Sequence, residues 1–444
     1  MRPASMWQRY CVNSAWQQVG RPPITLVLWD DTELGADPAT SIGRVRIGDP
    51  QLLSLLWWNP ELAFGVGYTE GRITLEGDLT EVMTALMKTQ AVQERRKAWR
   101  PTWSDRLHRR PGQSRTDSPA NVAHHYDLGN EFYKLWLDEQ MVYTCAYYER
   151  PDLSLEDAQV AKLERVCQKL RLQPGETVIE AGCGWGALAL HMARHHGVHV
   201  RAYNLSKEQL AYARQQARSE RLERRVEFIE ADCREMTGPC DVFVSVGMLE
   251  HVGVRHFQEL GQVVEHLLNE GGRGLIHTIG RNVARPLDHW NTKYIFPGAE
   301  PPSLRQMMEL FEPAGLSVLD VENMRLHYVL TLRDWLDRFE AHVPEITAMY
   351  DARFVRMWRC YLAASIAAFE SGYLQLFQVQ FARANDNSIP MTRHTPRAFS
   401  NALSHTPFRT IGGHSGADVS ALGHLLDADV DAVSLPNPAQ LQVF

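Results

Sequence analysis

At 444 residues the chain is longer than one ordinary hydrophobic core accommodates, so two domains are the starting expectation. Its 44% hydrophobic and 22% charged content is that of a soluble globular protein, and a formal net charge of −7 argues against a dedicated nucleic-acid binder. No apolar run approaches the ~18 residues that span a bilayer, and the N-terminal MRPASMWQRYCVNSAWQQ lacks the unbroken apolar core of a secretion signal.

Residues 1–93 read as a small α+β domain, with strands in ITLVLWD and RITLEG and a helix in LTEVMTALMKTQAVQERRKAW. No chemical motif stands out there, which leaves a structural or substrate-presenting role. A basic connector follows at 94–120. It holds Arg95, Arg96, Lys97, Arg100, Arg106, Arg109, Arg110 and Arg115, with Trp99 and Trp103 among them. Two readings stay open for it: a solvated linker, or a contact with an anionic membrane surface, where indole rings sit at headgroup depth.

From Leu155 to Gly280 strands alternate with helices. TVIEAG, HVRAYN, VEFIEAD, DVFVSVG and GRGLIHTIG read as strands. WGALALHMARHH, SKEQLAYARQQARSERL and HFQELGQVVEHLLN read as the helices between them. Ser206, with Gln209 three residues on, forms a capping-box pattern. Such alternation predicts an α/β fold with a doubly wound, mainly parallel sheet, whose ligands bind beyond the C-terminal strand ends. A stretch rich in Trp, Tyr, Phe and Met, 303–383, is expected to be mostly helical. The Ser/Pro/His/Asn-rich remainder, 384–444, reads as a poorly ordered tail. Seven cysteines without a CxxC pair read as reduced thiols and point to a cytoplasmic protein. No metal-ligand pattern is expected.

The loop after the first strand of the alternating region is AGCGWG, with Gly182, Gly184 and Gly186. Glycines there permit positive φ and close backbone approach. A dinucleotide fingerprint would read G-x-G-x-x-G and have an acid at the end of the second strand. Here the spacing is G-x-G-x-G, the second strand ends in Asn204, and the acid, Glu180, lies on the first. No phosphate-grasping lysine follows. A loop cradling an amino-acid cofactor, with an acid for its ammonium or ribose, fits better, and S-adenosylmethionine is such a cofactor.

Six ordered blocks then carry a resemblance. HHYDLGNEFYKLWLDEQMVYTCAYY, AGCGWG, VGMLEHVG, HTIG, NTKYIFPGAEPPS and LQLFQVQFAR, the last as a closing helix, resemble the cyclopropane-fatty-acyl-phospholipid synthase family of S-adenosylmethionine-dependent enzymes. The likeness runs from about Asn121 to Arg383. It implies a seven-strand methyltransferase sheet with a helical lid over an acyl-chain pocket, in a catalytic domain at 121–383. It further implies a cluster that holds a proton-abstracting bicarbonate: Cys145, Glu250, His277, Ile279 (through its main chain) and Tyr328. For the cofactor it implies Tyr143, Glu180, Gly182, Gly184, Leu205, Ser206, Gln209, Asp232 and Cys233. Two of these depart from the family pattern: Cys233 stands where an aromatic usually stacks on adenine, and Glu180 replaces the commoner Asp. Tyr126, Tyr143, Tyr147, Tyr148, Trp185, Phe296 and Trp335 are candidates to face a transient cation.

The activity so implied is methylene transfer from S-adenosylmethionine to the cis double bond of unsaturated phospholipid acyl chains, giving cyclopropane fatty acids. The enzyme would be cytoplasmic and peripherally bound to the inner membrane face, with a homodimer as a possible assembly. Three alternatives remain: a methylene- or methyl-branched product, methylation of a small molecule, and a non-catalytic lipid-binding module. Intact glycines and Glu250 speak against the last, and the apolar, aromatic stretch after Ser303 against the small molecule.

Overall fold

The computed structural model describes residues 3–96 and 128–389, apart from positions 38, 286 and 388. Its N-terminal layer is a four-stranded sheet of order β2-β1-β3-β4, with β1 Thr25–Leu28, β2 Glu33–Gly35, β3 Arg44–Ile47 and β4 Ile73–Glu76. Helices α1 (Met6–Gln18), α2 (Leu52–Trp58), α3 (Pro60–Thr69) and α4 (Leu79–Arg96) pack around a core that includes Val12, Ile24, Leu28, Val45, Ile47 and Val82. The expected small α+β layer is thus present. However, α4 runs through the boundary expected at residue 93, and β2, β3 and α1–α3 were not read from the sequence. Asn59 starts α3 by accepting from the Leu62 amide, with Pro60 in the first turn, where a missing N–H costs nothing. Gly65 lets α3 lie against the catalytic part: a Cβ there would sit 2.4 Å from the Trp290 ring.

The larger sheet has seven strands in the order β10-β11-β9-β8-β5-β6-β7. In chain order, α5 (Asn130–Lys134) and α6 (Leu155–Leu170) precede β5 (Thr177–Ala181), α7 (Ala187–His196), β6 (His199–Asn204), α8 (Lys207–Ser219) and β7 (Val226–Glu230). Then come β8 (Cys240–Val246), α9 (Leu249–Val252), α10 (Phe257–Leu267), β9 (Leu268–Gly280), α11 (His289–Tyr294), α12 (Leu304–Phe311) and β10 (Leu316–Asn323). Strands β5 to β9 pair in parallel, whereas β11 (Gln375–Arg383) is antiparallel to both β9 and β10. The chain steps outward from β5 to β7 and then returns to place β8 on the other side of β5. That reversal opens a crevice beyond the C-terminal ends of β5 and β8.

One expectation fails here. The segment 303–383 is mostly helical as expected, but it also holds β10 and β11, and LQLFQVQFAR is a strand rather than a closing helix. The reason is visible in its pattern: Phe377, Val379 and Phe381 alternate strictly with Gln378 and Gln380, a period of two. Both faces of the strand are covered, so Gln378 is buried as well and Gln380 partly so.

The helical lid comprises α13 (Arg325–Ala341), α14 (Val343–Met349) and α15 (Ala352–Ser371). With the segment around α5 it encloses an aromatic core of Phe132, Tyr133, Trp136, Trp335 and Trp358. Trp136 meets Trp335 edge-on at 5.6 Å, and Phe132 meets Trp358 at 5.0 Å. Such pairs contribute ~0.5–1.5 kcal/mol each beyond their burial. The lid and the N-terminal layer belong to one unit that ends at Ile389, and α4 packs along α15. No described helix is long and apolar enough to cross a membrane. The basic connector from Lys97 onward, Tyr126 and the tail from Pro390 lie outside the described residues.

Candidate active site

The loop between β5 and α7 borders a cavity of about 150 Å³ at the strand ends. Gly182, Gly184 and Gly186 all have positive φ, at 84°, 53° and 90°. A Cβ on Gly182 would collide with Met248 at 2.7 Å, whereas one on Gly184 would meet nothing within 4 Å. Gly184 therefore faces open space, as a backbone cradling a ligand should. Glu180, at the end of β5, is 2% exposed, and its Oε2 has no hydrogen-bond partner. Burial pushes this carboxyl up, and the Lys162 ammonium opposes that push. A carboxyl with one oxygen left unpaired on the cavity wall fits a ligand that brings an ammonium or hydroxyl. The cavity thus suits S-adenosylmethionine on its own geometry.

Tyr143, Glu180, Gly182, Gly184, Leu205, Gln209, Asp232 and Cys233 all line this cavity. Asn204 donates to Gly184 O at 3.2 Å and to Gln209 Oε1 at 2.8 Å, tying the ends of β6 and α8 to the glycine loop. Ser206 does not line the cavity: its hydroxyl accepts from the Gln209 amide as the N-cap of α8. The capping box is only half made, because the Gln209 side chain serves Asn204 instead. Both Asp232 oxygens accept from the buried Arg234 guanidinium, at 2.7 Å each. Burial raises this carboxyl, but the Arg234 fork outweighs it and holds the group below its ordinary value. Cys233 lines the cavity without an aromatic face to stack on.

A second cavity, of about 120 Å³, adjoins the first through Tyr143, Thr144, Gly247 and His251, which line both. Cys145, Glu250, His277, Ile279 and Tyr328 all stand on its wall. They arrive from four places: the segment after α5, the turn after β8, the end of β9 and the start of α13. Glu250 lies in the first turn of α9, 5% exposed. Its Oε1 accepts the Ile279 amide, and its Oε2 has no partner. Ile279 thus uses its main-chain N–H on Glu250. Burial pushes the Glu250 carboxyl up to about 7. His277 is fully buried, and burial pulls it down to about 3, so it stays neutral.

Its tautomer follows from the neighbours. Lys169, which can only donate, lies 2.6 Å from Gln378 Oε1, so the Gln378 amide nitrogen is the group 3.0 Å from His277 Nδ1. Nδ1 therefore accepts, and Nε2 carries the proton. That Nε2 is buried without a partner. The wall thus presents an unpaired acceptor on Glu250 and an unpaired donor on His277. Cys145 is buried, its thiol is pushed up by burial, and Thr331 Oγ1 holds the neighbouring Ala146 amide at 3.0 Å.

The aromatic candidates divide. Trp185 lines the cofactor cavity, Phe296 the reaction cavity and Tyr143 both. Tyr147, Tyr148 and Trp335 line neither: Tyr147 lies under the Arg165 guanidinium at 4.4 Å, Tyr148 donates to Asp334, and Trp335 is lid core. Sequence reasoning missed Lys162, His251, Gln378 and Arg281. Lys162 had a signal, being a lysine on the buried face of α6; it donates to Thr144 Oγ1 at 2.9 Å, and burial pulls its ammonium down. One Cys/His group, Cys167, His191 and His196, brings its donor atoms within 4.8 Å of one another. It lines neither cavity, and both imidazoles already bond Glu164.

Comparison with known proteins agrees with this geometry. The profile of the family described as Mycolic acid cyclopropane synthetase matches residues 113–379. A probable fatty acid methyltransferase of Pseudomonas putida is 35% identical over 382 residues, which is 84% of this chain and 95% of the relative. Cyclopropane-fatty-acyl-phospholipid synthase of Escherichia coli (strain K12) is 42% identical over 270 residues, 61% of this chain and 69% of the relative. The crystal structure of mycolic acid cyclopropane synthase CmaA1 complexed with SAH and CTAB superposes with a TM-score of 0.56 at 30% identity. It covers 59% of this chain and 97% of that one.

Proposed function

The chain belongs to the mycolic acid cyclopropane synthetase family, and from that premise we propose that it forms cyclopropane rings on the cis double bonds of phospholipid acyl chains. It is an S-adenosylmethionine-dependent methyltransferase of fatty acyl chains. The observation that carries the finer reading is the pair of buried, unpaired polar atoms, Glu250 Oε2 and His277 Nε2, on an otherwise mostly apolar cavity beside the cofactor cavity.

An alkene is a weak nucleophile, so it must meet its electrophile at short range in a dry site. Bound S-adenosylmethionine supplies a methyl on a sulfonium whose sulfur keeps the bonding pair. The alkene π pair makes the new C–C bond and leaves a cation on the adjacent chain carbon. Loss of a proton from the added carbon frees its C–H pair to close the ring, so the net products are a cyclopropane, S-adenosylhomocysteine and a proton. Bicarbonate, when bound, supplies a compact base. His277 Nε2–H would donate to such an anion and Glu250 Oε2 would accept its hydroxyl proton. A carboxyl poised near 7 is suited to proton transfer at neutral pH. Tyr143 and Phe296 line the cavity where the cation develops, where an aromatic ring can stabilise it.

The likeness to a fatty acid methyltransferase across 84% of the chain keeps one second reading alive, a methylene- or methyl-branched product. Mass spectrometry of lipids from an expressing host separates the readings in two steps. Monoenoic chains should gain the mass of one CH₂, and NMR should then show high-field cyclopropane protons rather than a branch methyl. Unchanged lipids from a host making protein that binds S-adenosylhomocysteine would remove the lipid reading.

A further inference from the structure

The N-terminal layer holds a third cavity, of about 210 Å³, that the chemistry above does not use. Helix α1 contributes Cys11, Ala15 and Trp16 to its wall, and α2 contributes Leu53, Leu56 and Trp57. Met87, Asp288, Asn291, Ala364 and Tyr373 line both this cavity and the reaction cavity, so the two share a wall. An apolar cavity of roughly 150 Å³ already takes a benzene-sized hydrocarbon. The space here is larger, and an apolar void left empty lowers stability in proportion to its volume.

The other end of this cavity reaches the surface. Trp57 lines it and is still 44% exposed. On α1 the cavity-lining positions Ala15 and Cys11 continue at the same helical spacing to Trp7, which is 71% exposed. Tyr10, Met6 and Trp58 are exposed beside them, at 67%, 90% and 84%. Exposed Trp and Tyr grouped at the mouth of an apolar cavity suit the headgroup zone of a bilayer, where amphipathic rings settle.

We propose that the N-terminal layer docks on the bilayer through this aromatic rim, and that its cavity is the conduit carrying a phospholipid acyl chain to the reaction cavity. The proposal rests on the lipid-modifying function above. It places the membrane contact on α1 and α2, independently of the basic connector. Ala364 is the gate between conduit and reaction cavity, being a small residue on α15 with space on both sides.

The test uses the full chain and vesicles of monounsaturated phosphatidylglycerol and phosphatidylethanolamine. Ala15→Phe and Ala364→Phe plug the conduit; Ala15→Leu, a smaller insert, is carried alongside in case the larger ones disturb folding. S-adenosylhomocysteine affinity reports the fold. The plugged variants should bind vesicles and S-adenosylhomocysteine like wild type yet lose ~10-fold or more in kcat/KM, the scale set by excluding a few methylenes. The rim variant Trp7→Ser/Trp58→Ser should instead co-sediment ~10-fold less with vesicles. Wild-type turnover in the plugged variants overturns the conduit. Undiminished sedimentation of the rim variant overturns the docking face, and a fall in oligomeric mass with it assigns that face to a second copy of the chain. If wild type binds S-adenosylhomocysteine but modifies no vesicle lipid, the function fails instead. The conduit is then decided by cis-parinaric acid, which should bind wild type and not Ala15→Phe; equal binding overturns it.

Discussion

Replacing Glu250 by Gln isolates the proton-transfer role, because the change is nearly isosteric. The amide oxygen can still accept the Ile279 N–H that Oε1 accepts now, while an NH₂ takes the place of the unpaired Oε2. An acceptor on the cavity wall becomes a donor, and little else moves. Loss of a general base or its direct partner typically lowers rates by ~10²–10⁴-fold, which is about 2.7–5.4 kcal/mol of barrier. Glu250 does not line the cofactor cavity, so calorimetric affinity for S-adenosylhomocysteine should stay at the wild-type value. Burial lifts the carboxyl from its ordinary 4.5 to about 7, so it is protonated and idle below that pH and ionised above it. Wild-type kcat/KM should therefore fall as pH drops through about 7, and the Gln variant should lose that limb. The stability sign runs the other way. Between 4.5 and about 7 the folded state binds more protons than the unfolded one, so the carboxyl costs stability as pH rises across that window. Glu250→Gln should be at least as stable as wild type at pH 8 while being far slower. A Gln enzyme that turns over normally in bicarbonate-free buffer would show that the proton leaves by another route.

Gly184→Val should abolish S-adenosylhomocysteine binding by calorimetry, since the added side chain enters the open space of the cofactor cavity at a φ of 53°. Binding retained within tenfold would place the cofactor elsewhere. Gln378→Leu deletes the amide between Lys169 and His277; ¹⁵N NMR should show His277 losing its single tautomer, with slower turnover, unchanged cofactor affinity and about 1–3 kcal/mol less stability. An unaltered tautomer and rate would mean that a group other than Gln378 fixes the proton on Nε2. Cys233→Trp should tighten cofactor binding by about 0.5–1.5 kcal/mol if a ring there can stack on adenine, and weaker binding would refute that placement.

The five parallel strands and their glycine loop were legible because strand, turn and helix each carry their own local pattern, and a buried parallel strand such as TVIEA reads as an apolar run. What escaped was set by distant partners. The glutamines of β11 look solvent-facing in sequence, yet Gln378 is buried because β9 and β10 flank it and Lys169 and His277 use its amide. β2 is three residues long with little burial, too short for a period to show. Among site residues, Cys145, Glu250, His277, Ile279 and Tyr328 meet at one cavity although nothing local links their segments; only the resemblance joined them. Ser206 carried two readings in sequence, a helix cap and a cofactor position; its hydroxyl makes the cap and does not line the cofactor cavity.

The reaction cavity also explains why burial is more than packing here. A carbocation on an acyl chain is lost to the first water or repelled by the first cation it meets. His277 and His251 both line the cavity, and burial pulls them down to about 3 and about 4, so neither imidazole becomes a competing cation near neutral pH. The guanidinium of Arg281 does line the cavity, but it lies 4.9 Å over the Tyr373 ring, among the residues that border the N-terminal cavity. Glu250, near its own titration point, is a buried carboxyl on that wall, held by the Ile279 amide. In a low-dielectric pocket one carboxylate attracts a transient cation far more strongly than it would in water. The same desolvation that keeps the histidines neutral therefore gives Glu250 both its raised pKa and its reach, and the two cannot be tuned apart without opening the cavity.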